Sequence, residues 1–261
     1  VMPGEEGVVP GVVEKIECVE YIRIDVRKTI DFEFQPTEKD IIFNLAAVHR
    51  TPGHPDHAYF ETNILGAENV TKFAEKYGIN KILFTSSIAP YGAAEELKTE
   101  DTLPTPNTPY GISKLVAEKI HQIWQAKDKN RELTIVRPGI VYGKGEHGNM
   151  TRLYKALRGH YFMYTGRKDT IKACIYVKEL VRFIKYRMLD NDFKGVDVFN
   201  CTYEPAFNIE RICNTILKAT DMHRHVPLLP AGLLMSIAKV VGPLGGKKVG
   251  IHPARVKKLM I

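Results

Sequence analysis

The 261-residue sequence is short of the features that mark a disulfide scaffold, a zinc site or a membrane span. Its four cysteines, Cys18, Cys174, Cys201 and Cys213, include no C-x-x-C pair, so reduced thiols of a cytosolic protein fit better than a disulfide framework, and no metal is implied. No run of about 18 apolar residues could cross a bilayer, and no basic-then-apolar leader is visible. Internal repeats and low-complexity tracts are lacking. Helix-turn-helix and RNA-type aromatic signatures are missing as well, so the formal charge of +7 does not make nucleic acid a partner. A phosphate-bearing small molecule or an anionic membrane would suit the same charge.

What is present is a core. With 44% apolar and 26% charged residues the chain can bury one large α/β domain. The runs "YIRI" (Tyr21 to Ile24), "IIFNLAA" (Ile41 to Ala47), "KILFTSS" (Lys81 to Ser87) and "LTIVRPG" (Leu133 to Gly139) are short and nearly continuous, which is how buried parallel strands read. Between them, Ile64, Ala67, Val70, Ala74 and Tyr77 recur at helical spacing and stop at Gly78. A second helix over "YGISKLVAEKIHQIWQAK" puts Ile112, Leu115, Val116, Ile120 and Ile123 on one side. Loop plus helix is expected after Gly139, with further helices near Val177 to Met188 and Ile209 to Thr220. Strands alternating with such helices predict a doubly wound parallel sheet.

Tyr110 and Lys114 stand four apart at the start of the second helix and so share a face. A phenol titrates near pH ~10, and a neighbouring ammonium that favours the phenolate makes it a usable acid and base. Read alone, the pair is more simply a packed helix edge beside a solvated lysine. The setting points further: "SSIAPYG" ends the strand upstream, and "RPGIVYG" ends the strand downstream. Ser87 could bond the same oxygen whose proton Tyr110 takes, or simply cap a turn.

"NLAA", "NILGAENV", "FTSSIAPYG", "PYGISK" and "RPGIVYG" occur in an order and spacing that resembles the extended short-chain dehydrogenase/reductases, the NAD-dependent epimerase/dehydratase family, over about Tyr21 to Lys185. The resemblance implies a Rossmann-type doubly wound sheet with a smaller carboxyl-terminal substrate domain. Residues 1–142 would bind NAD, and 143–261 would be mostly substrate-binding with segments returning to the first domain. It also implies Tyr110 as the catalytic base, Lys114 on the nicotinamide ribose and Ser87 on the substrate oxygen. Asp25 and Val26 would lie toward the adenine side, with Leu45, Ala46, Ala47, Asn63, Thr85 and Pro138 lining the cofactor. The family's G-x-x-G-x-x-G, which brings a helix amino terminus to the pyrophosphate, is not in the sequence. With that loop absent, the first strand-helix-strand unit is expected to be missing from this sequence.

Within the family, "LAAVHR", "GEHGNMTRLYKALRGHYFMYTG", "YVKELVRFIKY" and "GKKVGIHPARVKK" look most like bacterial 4-epimerases that act on N-acetylglucosamine joined to undecaprenyl diphosphate. That likeness puts Arg50, Asn149 and Arg152 near the sugar or diphosphate, although each also reads as surface loop. The implied reaction is C4 epimerisation of a diphosphate-linked N-acetylhexosamine, on undecaprenyl diphosphate or UDP, through a 4-keto sugar. A reductase or dehydrogenase on the same scaffold, or a non-catalytic binding protein, are the alternatives. Dehydration is disfavoured because the positions after Ser87 are Ile88 and Ala89, which transfer no protons. "VPLLPAGLLMSIAKVV" (Val226 to Val241) followed by Lys247, Lys248, Arg255, Lys257 and Lys258 suits either a core helix with a solvated basic tail or the surface of an anionic bilayer. A cytoplasmic location, a peripheral contact with the inner face of the membrane, and a homodimer built on two helices per subunit complete the expectations.

Overall fold

The apolar runs that begin at Ile41, Lys81 and Glu132 lie side by side in one parallel sheet. The computed structural model describes residues 16–49, 54–94, 96–191 and 193–230. In chain order the elements are β1 (Ile41–Asn44), α1 (Asp56–Tyr77), β2 (Lys81–Thr85), α2 (Pro109–Ala126), β3 (Glu132–Pro138), β4 (Ile140–Tyr142), α3 (Asn149–Arg158), β5 (Tyr164–Thr165), β6 (Ile171–Lys172), β7 (Cys174–Tyr176), α4 (Val177–Leu189), β8 (Gly195–Cys201), β9 (Phe207–Asn208), α5 (Ile209–Ala219) and β10 (Leu228–Leu229). The main sheet has the order β1-β2-β3-β8. Ile42, Ile82, Leu133 and Val196 fall in one row across it.

Alternation along the strands divides the core into two layers. Ile82, Phe84, Leu133 and Ile135 face one side and pack with Phe73 and Ala74 of α1 and Ala117 and Trp124 of α2. Leu83 and Val136 face the other side, against Leu180 and Met188 of α4. Helix α1 ends where Gly78 takes up a left-handed φ of 65° and its N–H returns to the carbonyls of Ala74 and Glu75, a conformation that costs a residue with a Cβ about 1 kcal/mol or more. Around the main sheet, β4 pairs with β7, β6 with β9, and β5 with β10. A third apolar cluster joins α3 to α5 through Leu157, Tyr164, Cys213 and Leu217.

Three expectations are corrected here. Residues 21–24 are not a strand: they run as irregular chain with Ile22 41% and Ile24 42% exposed. A strand needs a neighbour for its backbone donors and acceptors, and among the described residues none pairs with this run. The following stretch instead lays Ile30, Phe32 and Phe34 against Phe73 and Tyr77 of α1. Second, α2 is turned the other way. Its buried face carries Ser113, Lys114, Ala117, Glu118, His121 and Trp124, while Ile112, Val116 and Ile123 are exposed. Third, the apolar stretch from Val226 begins as a short strand rather than a helix: Val226 is buried and Leu228 and Leu229 pair with Tyr164 and Thr165. From residue 231 that stretch, with its basic tail, lies outside the described residues. No helix among the described residues is long and apolar enough to cross a membrane.

Leu133 is fully buried at the centre of the first layer. Replacing it with alanine is expected to cost about 2–5 kcal/mol, read as a lower midpoint in chemical denaturation.

Candidate active site

Helix α2 starts where the sequence says it should. Thr108 accepts the N–H of Gly111 at 3.1 Å, and Pro109 occupies the first turn, where its missing N–H costs nothing. This fixes Tyr110 in the first turn, facing the end of β2. Gly111 makes the approach possible, since a Cβ there would sit 2.6 Å from the Ala89 carbonyl oxygen. The 3-10 turn Ala89–Tyr91 can therefore press against the helix.

The turn carries Ser87 to Tyr110. The Ser87 hydroxyl lies near enough to the Tyr110 phenol to lower its pKa, and it accepts the Ala89 N–H at 3.2 Å, which caps the turn. Burial pushes the phenol above its ordinary pKa, and the nearby Ser87 hydroxyl opposes that rise. Lys114 is not among the groups that shift the phenol. Its ammonium donates to the Thr85 carbonyl at 2.6 Å and lies 4.2 Å from the centre of the Phe84 ring. Burial pulls its pKa down to about 7, with the Glu118 carboxylate opposing.

The cofactor-side residues form two clamps on the helices. Asn63 of α1 accepts the Val48 N–H at 2.9 Å and donates to the Ser113 hydroxyl at 2.8 Å, which in turn donates to the Tyr110 carbonyl. The turn of Leu45, Ala46 and Ala47 is thereby tied to the helix that carries Tyr110. Asn44 accepts the Ala46 N–H through Oδ1, and its Nδ2 meets Nε2 of His121 at 3.2 Å. Because the Ala117 carbonyl can only accept, the His121 proton sits on Nδ1, leaving Nε2 to accept from Asn44. Leu45 is 63% exposed. Val26 packs against Gly66 and its carbonyl accepts from Asn69. The Asp25 carboxylate is gripped by the Arg27 guanidinium and backbone N–H, which hold its pKa at about 2. Pro138, at the end of β3, accepts the Ile88 N–H at 3.2 Å.

The nicotinamide end of NAD fits these residues. Thr85 Oγ1 is buried and has no hydrogen-bond partner among the described residues, directly beside the carbonyl that Lys114 holds. Tyr110, Lys114, Thr85 and Pro138 would hold that end; a glycine-rich loop for the pyrophosphate is not in this sequence. Among the described residues no cluster of His, Cys, Asp and Glu could hold a metal.

Of the three residues expected at the sugar or diphosphate, Arg50 lies outside the described residues. Asn149 and Arg152 meet each other instead: Arg152 Nη2 donates to Asn149 Oδ1 at 2.8 Å and its Nε to the Gly148 carbonyl, on the exposed start of α3. Neither lines the cleft of about 500 Å³ that opens beside Ile88, Tyr91 and Ile140. That cleft is lined by Lys98, Arg167 and Lys172 with Glu96 and Glu204, and Asn200 closes one side. Burial pushes the Lys172 pKa down, the condition of a cation short of solvent. These residues, with Glu118, Arg137 and His121, escape a reading of motifs, although a glutamate four places after Lys114 and an arginine just before Pro138 are a legible signal.

The sequence profile described as the NAD dependent epimerase/dehydratase family matches residues 8–202. The N-acetyl-alpha-D-glucosaminyl-diphospho-ditrans,octacis-undecaprenol 4-epimerase of Escherichia coli O157:H7 is 34% identical over 224 residues, covering 84% of this chain and 67% of that protein. A UDP-glucose 4-epimerase of Vibrio cholerae is 33% identical over 139 residues, 50% of this chain and 42% of that one. Among solved structures, MoeE5 in complex with UDP-glucose and NAD superposes with a TM-score of 0.61 at 25% identity, covering 73% of this chain and 66% of that chain. The chain thus spans about two thirds of the first relative and of that solved structure, and under half of the second relative.

His121 gives the site a pH signature of its own. Its imidazole is fully buried, stacked on Phe84, and its pKa is lowered to about 4, chiefly by burial. A depressed folded-state pKa means that the unfolded chain takes up the proton first, so stability is complete above pH ~6.5 and falls as the pH drops toward 4, by up to about 3 kcal/mol. Denaturation midpoints measured between pH 7 and 4 are expected to fall less steeply in His121→Gln than in the unaltered protein.

Proposed function

The chain belongs to the NAD dependent epimerase/dehydratase family, and on that premise we propose that it forms the greater part of a sugar 4-epimerase. Its substrate would be a diphosphate-linked N-acetylhexosamine, interconverted between GlcNAc and GalNAc, carried on undecaprenyl diphosphate or UDP. The observation that carries the proposal is the Ser87 hydroxyl set near the Tyr110 phenol, where it opposes the rise that burial imposes, beside a cleft holding Arg167 and Lys172. The 34% identity to a polyprenyl-linked GlcNAc 4-epimerase supports the choice of sugar and carrier.

Bound NAD would supply the hydride acceptor and donor that carries the sugar through its 4-keto form. The chain's own part is proton management. Tyr110 Oη takes the O4 proton as the carbonyl forms and gives it back when the alcohol is restored on the other face. A phenol raised by burial is a strong base once deprotonated but rarely so, and the nearby Ser87 hydroxyl offsets part of that handicap. The same hydroxyl lies where it can steady O4. Lys114 holds the Thr85 carbonyl and so fixes the floor on which the nicotinamide ribose would rest. Arg167 and Lys172 would face the diphosphate; an anion there would restore the charge stabilisation that burial takes from Lys172. Dehydration has no support, since Ile88 and Ala89 supply no second acid or base.

Further parts of the reading concern assembly and place. Leu65 on α1 and Ile112, Val116 and Ile123 on α2 are exposed apolar residues, which suits a homodimer formed on these helices. Lipid-linked substrate would place the protein in the cytoplasm, peripherally on the inner face of the membrane, with the apolar and basic carboxyl-terminal stretch as the contact.

Full-length protein incubated with UDP-GlcNAc and, separately, with polyprenyl-diphosphate GlcNAc is expected to form GalNAc from the lipid-linked sugar; conversion of the soluble sugar alone would remove the lipid carrier. Tyr110→Phe is expected to lower turnover about 10²- to 10⁴-fold, and a variant with near wild-type turnover would remove Tyr110 from the chemistry.

A further inference from the structure

Glu118 and Arg137 form a buried ion pair that the motif reading does not use. Glu118 is fully buried and Arg137 is 5% exposed. Arg137 Nε and Nη2 fork onto the two carboxylate oxygens at 2.9 and 2.6 Å, and the Ser86 hydroxyl donates to Oε1. From the far side, Arg137 Nη1 donates to the Tyr91 hydroxyl at 2.6 Å, and Tyr91 donates to Asn200 Oδ1 at 2.9 Å. Asn200 is anchored in turn by its N–H to the Glu100 carboxylate. The chain of bonds therefore joins α2, the end of β2, β3, the 3-10 turn and β8.

Stability does not explain such a pair. The desolvation of two buried charges roughly cancels their attraction, and well-packed apolar residues of similar volume commonly serve the fold as well. What a forked, fully satisfied pair supplies is fixed geometry. Here both ends of the geometry are functional. Ser86 is the neighbour of Ser87, and with Ser86 drawn inward to Glu118 the next side chain is directed toward Tyr110. Tyr91 and Asn200 line the 500 Å³ cleft. Glu118 itself lies one turn beyond Lys114 on α2.

We propose that Glu118, with Arg137, is a positioning residue that sets Ser87 against Tyr110 and holds the Tyr91 and Asn200 wall of the cleft in register with α2. The proposal rests on the epimerase reading for its catalytic consequence but not for its structural one, and the test separates the two. In full-length E118M/R137M, which removes both charges together, amide hydrogen exchange at Ile88 and Ala89 is expected to quicken at least ~10-fold while Leu83 and Phe84 keep their protection. Epimerase kcat should fall about 10-fold or more with KM within about threefold, because misplacement of the reacting groups acts on turnover. Tyr91→Phe, which removes the hydroxyl that joins Arg137 to the cleft wall, should raise KM several-fold with kcat within about twofold. Should the double variant not fold, Ser86→Ala removes one bond of the junction, and the same local exchange at Ile88 and Ala89 is expected. A folded double variant with wild-type exchange at those amides and wild-type kcat would overturn the proposal, and an unchanged KM in Tyr91→Phe would overturn its cleft arm. If the unaltered protein epimerises neither sugar, the functional reading fails while the exchange result still decides the positioning role.

Discussion

Burying an ammonium, a carboxylate and an imidazole on one face of one helix costs far more than burying leucines unless each group is answered, and α2 answers each with a different part of the sheet. Lys114 goes to the carbonyl at the end of β2, Glu118 to Arg137 on β3, and His121 to Asn44 at the end of β1. None of these three partners can shift without leaving a charge or a polar atom unpaired. The ends of three neighbouring strands are therefore fixed relative to the first turn of α2, where Tyr110 stands. The position of the candidate acid–base group follows from the way the helix satisfies its charges.

The inversion also accounts for what the sequence hid. The strands at Ile41, Lys81 and Leu133 were legible because a buried parallel strand is a continuous apolar run, and α1 was legible because its buried side is apolar and Gly78 ends it. The face of α2 was misread because apolar periodicity assumes that the oily side goes in; Ile112, Val116 and Ile123 follow helical spacing and yet remain outside. Partners such as Arg137 and Asn44 lie far along the chain, so local spacing carries no sign of them. "YIRI" has strand composition without a neighbour to pair with among the described residues, and composition alone does not supply one.

Within the site, the nearness of Ser87 to Tyr110 could be foreseen from two strand-end motifs, whereas the direction of the Lys114 ammonium could not. Spacing puts Lys114 on the same helical face as Tyr110 but says nothing of the Thr85 carbonyl that captures it. Asn149 and Arg152 show the same limit in reverse: three apart on a helix, they bond to one another, and two of the cations that reach the cleft, Arg167 and Lys172, come from the chain beyond α3. The division of labour that results is coherent. Strand ends and the 3-10 turn present the reacting hydroxyls, the later segments present charge, and α2 holds both sets in register.

The central claim is that Tyr110 and Ser87 manage a proton on a sugar oxygen while hydrogen leaves and returns at the same carbon. The most direct test is isotopic. Full-length protein given GlcNAc-diphosphate substrate deuterated at C4, in ordinary water, is predicted to yield a 4-epimer that keeps its deuterium at C4. Loss of that deuterium to solvent during conversion would show that the carbon exchanges as a proton and would contradict the account.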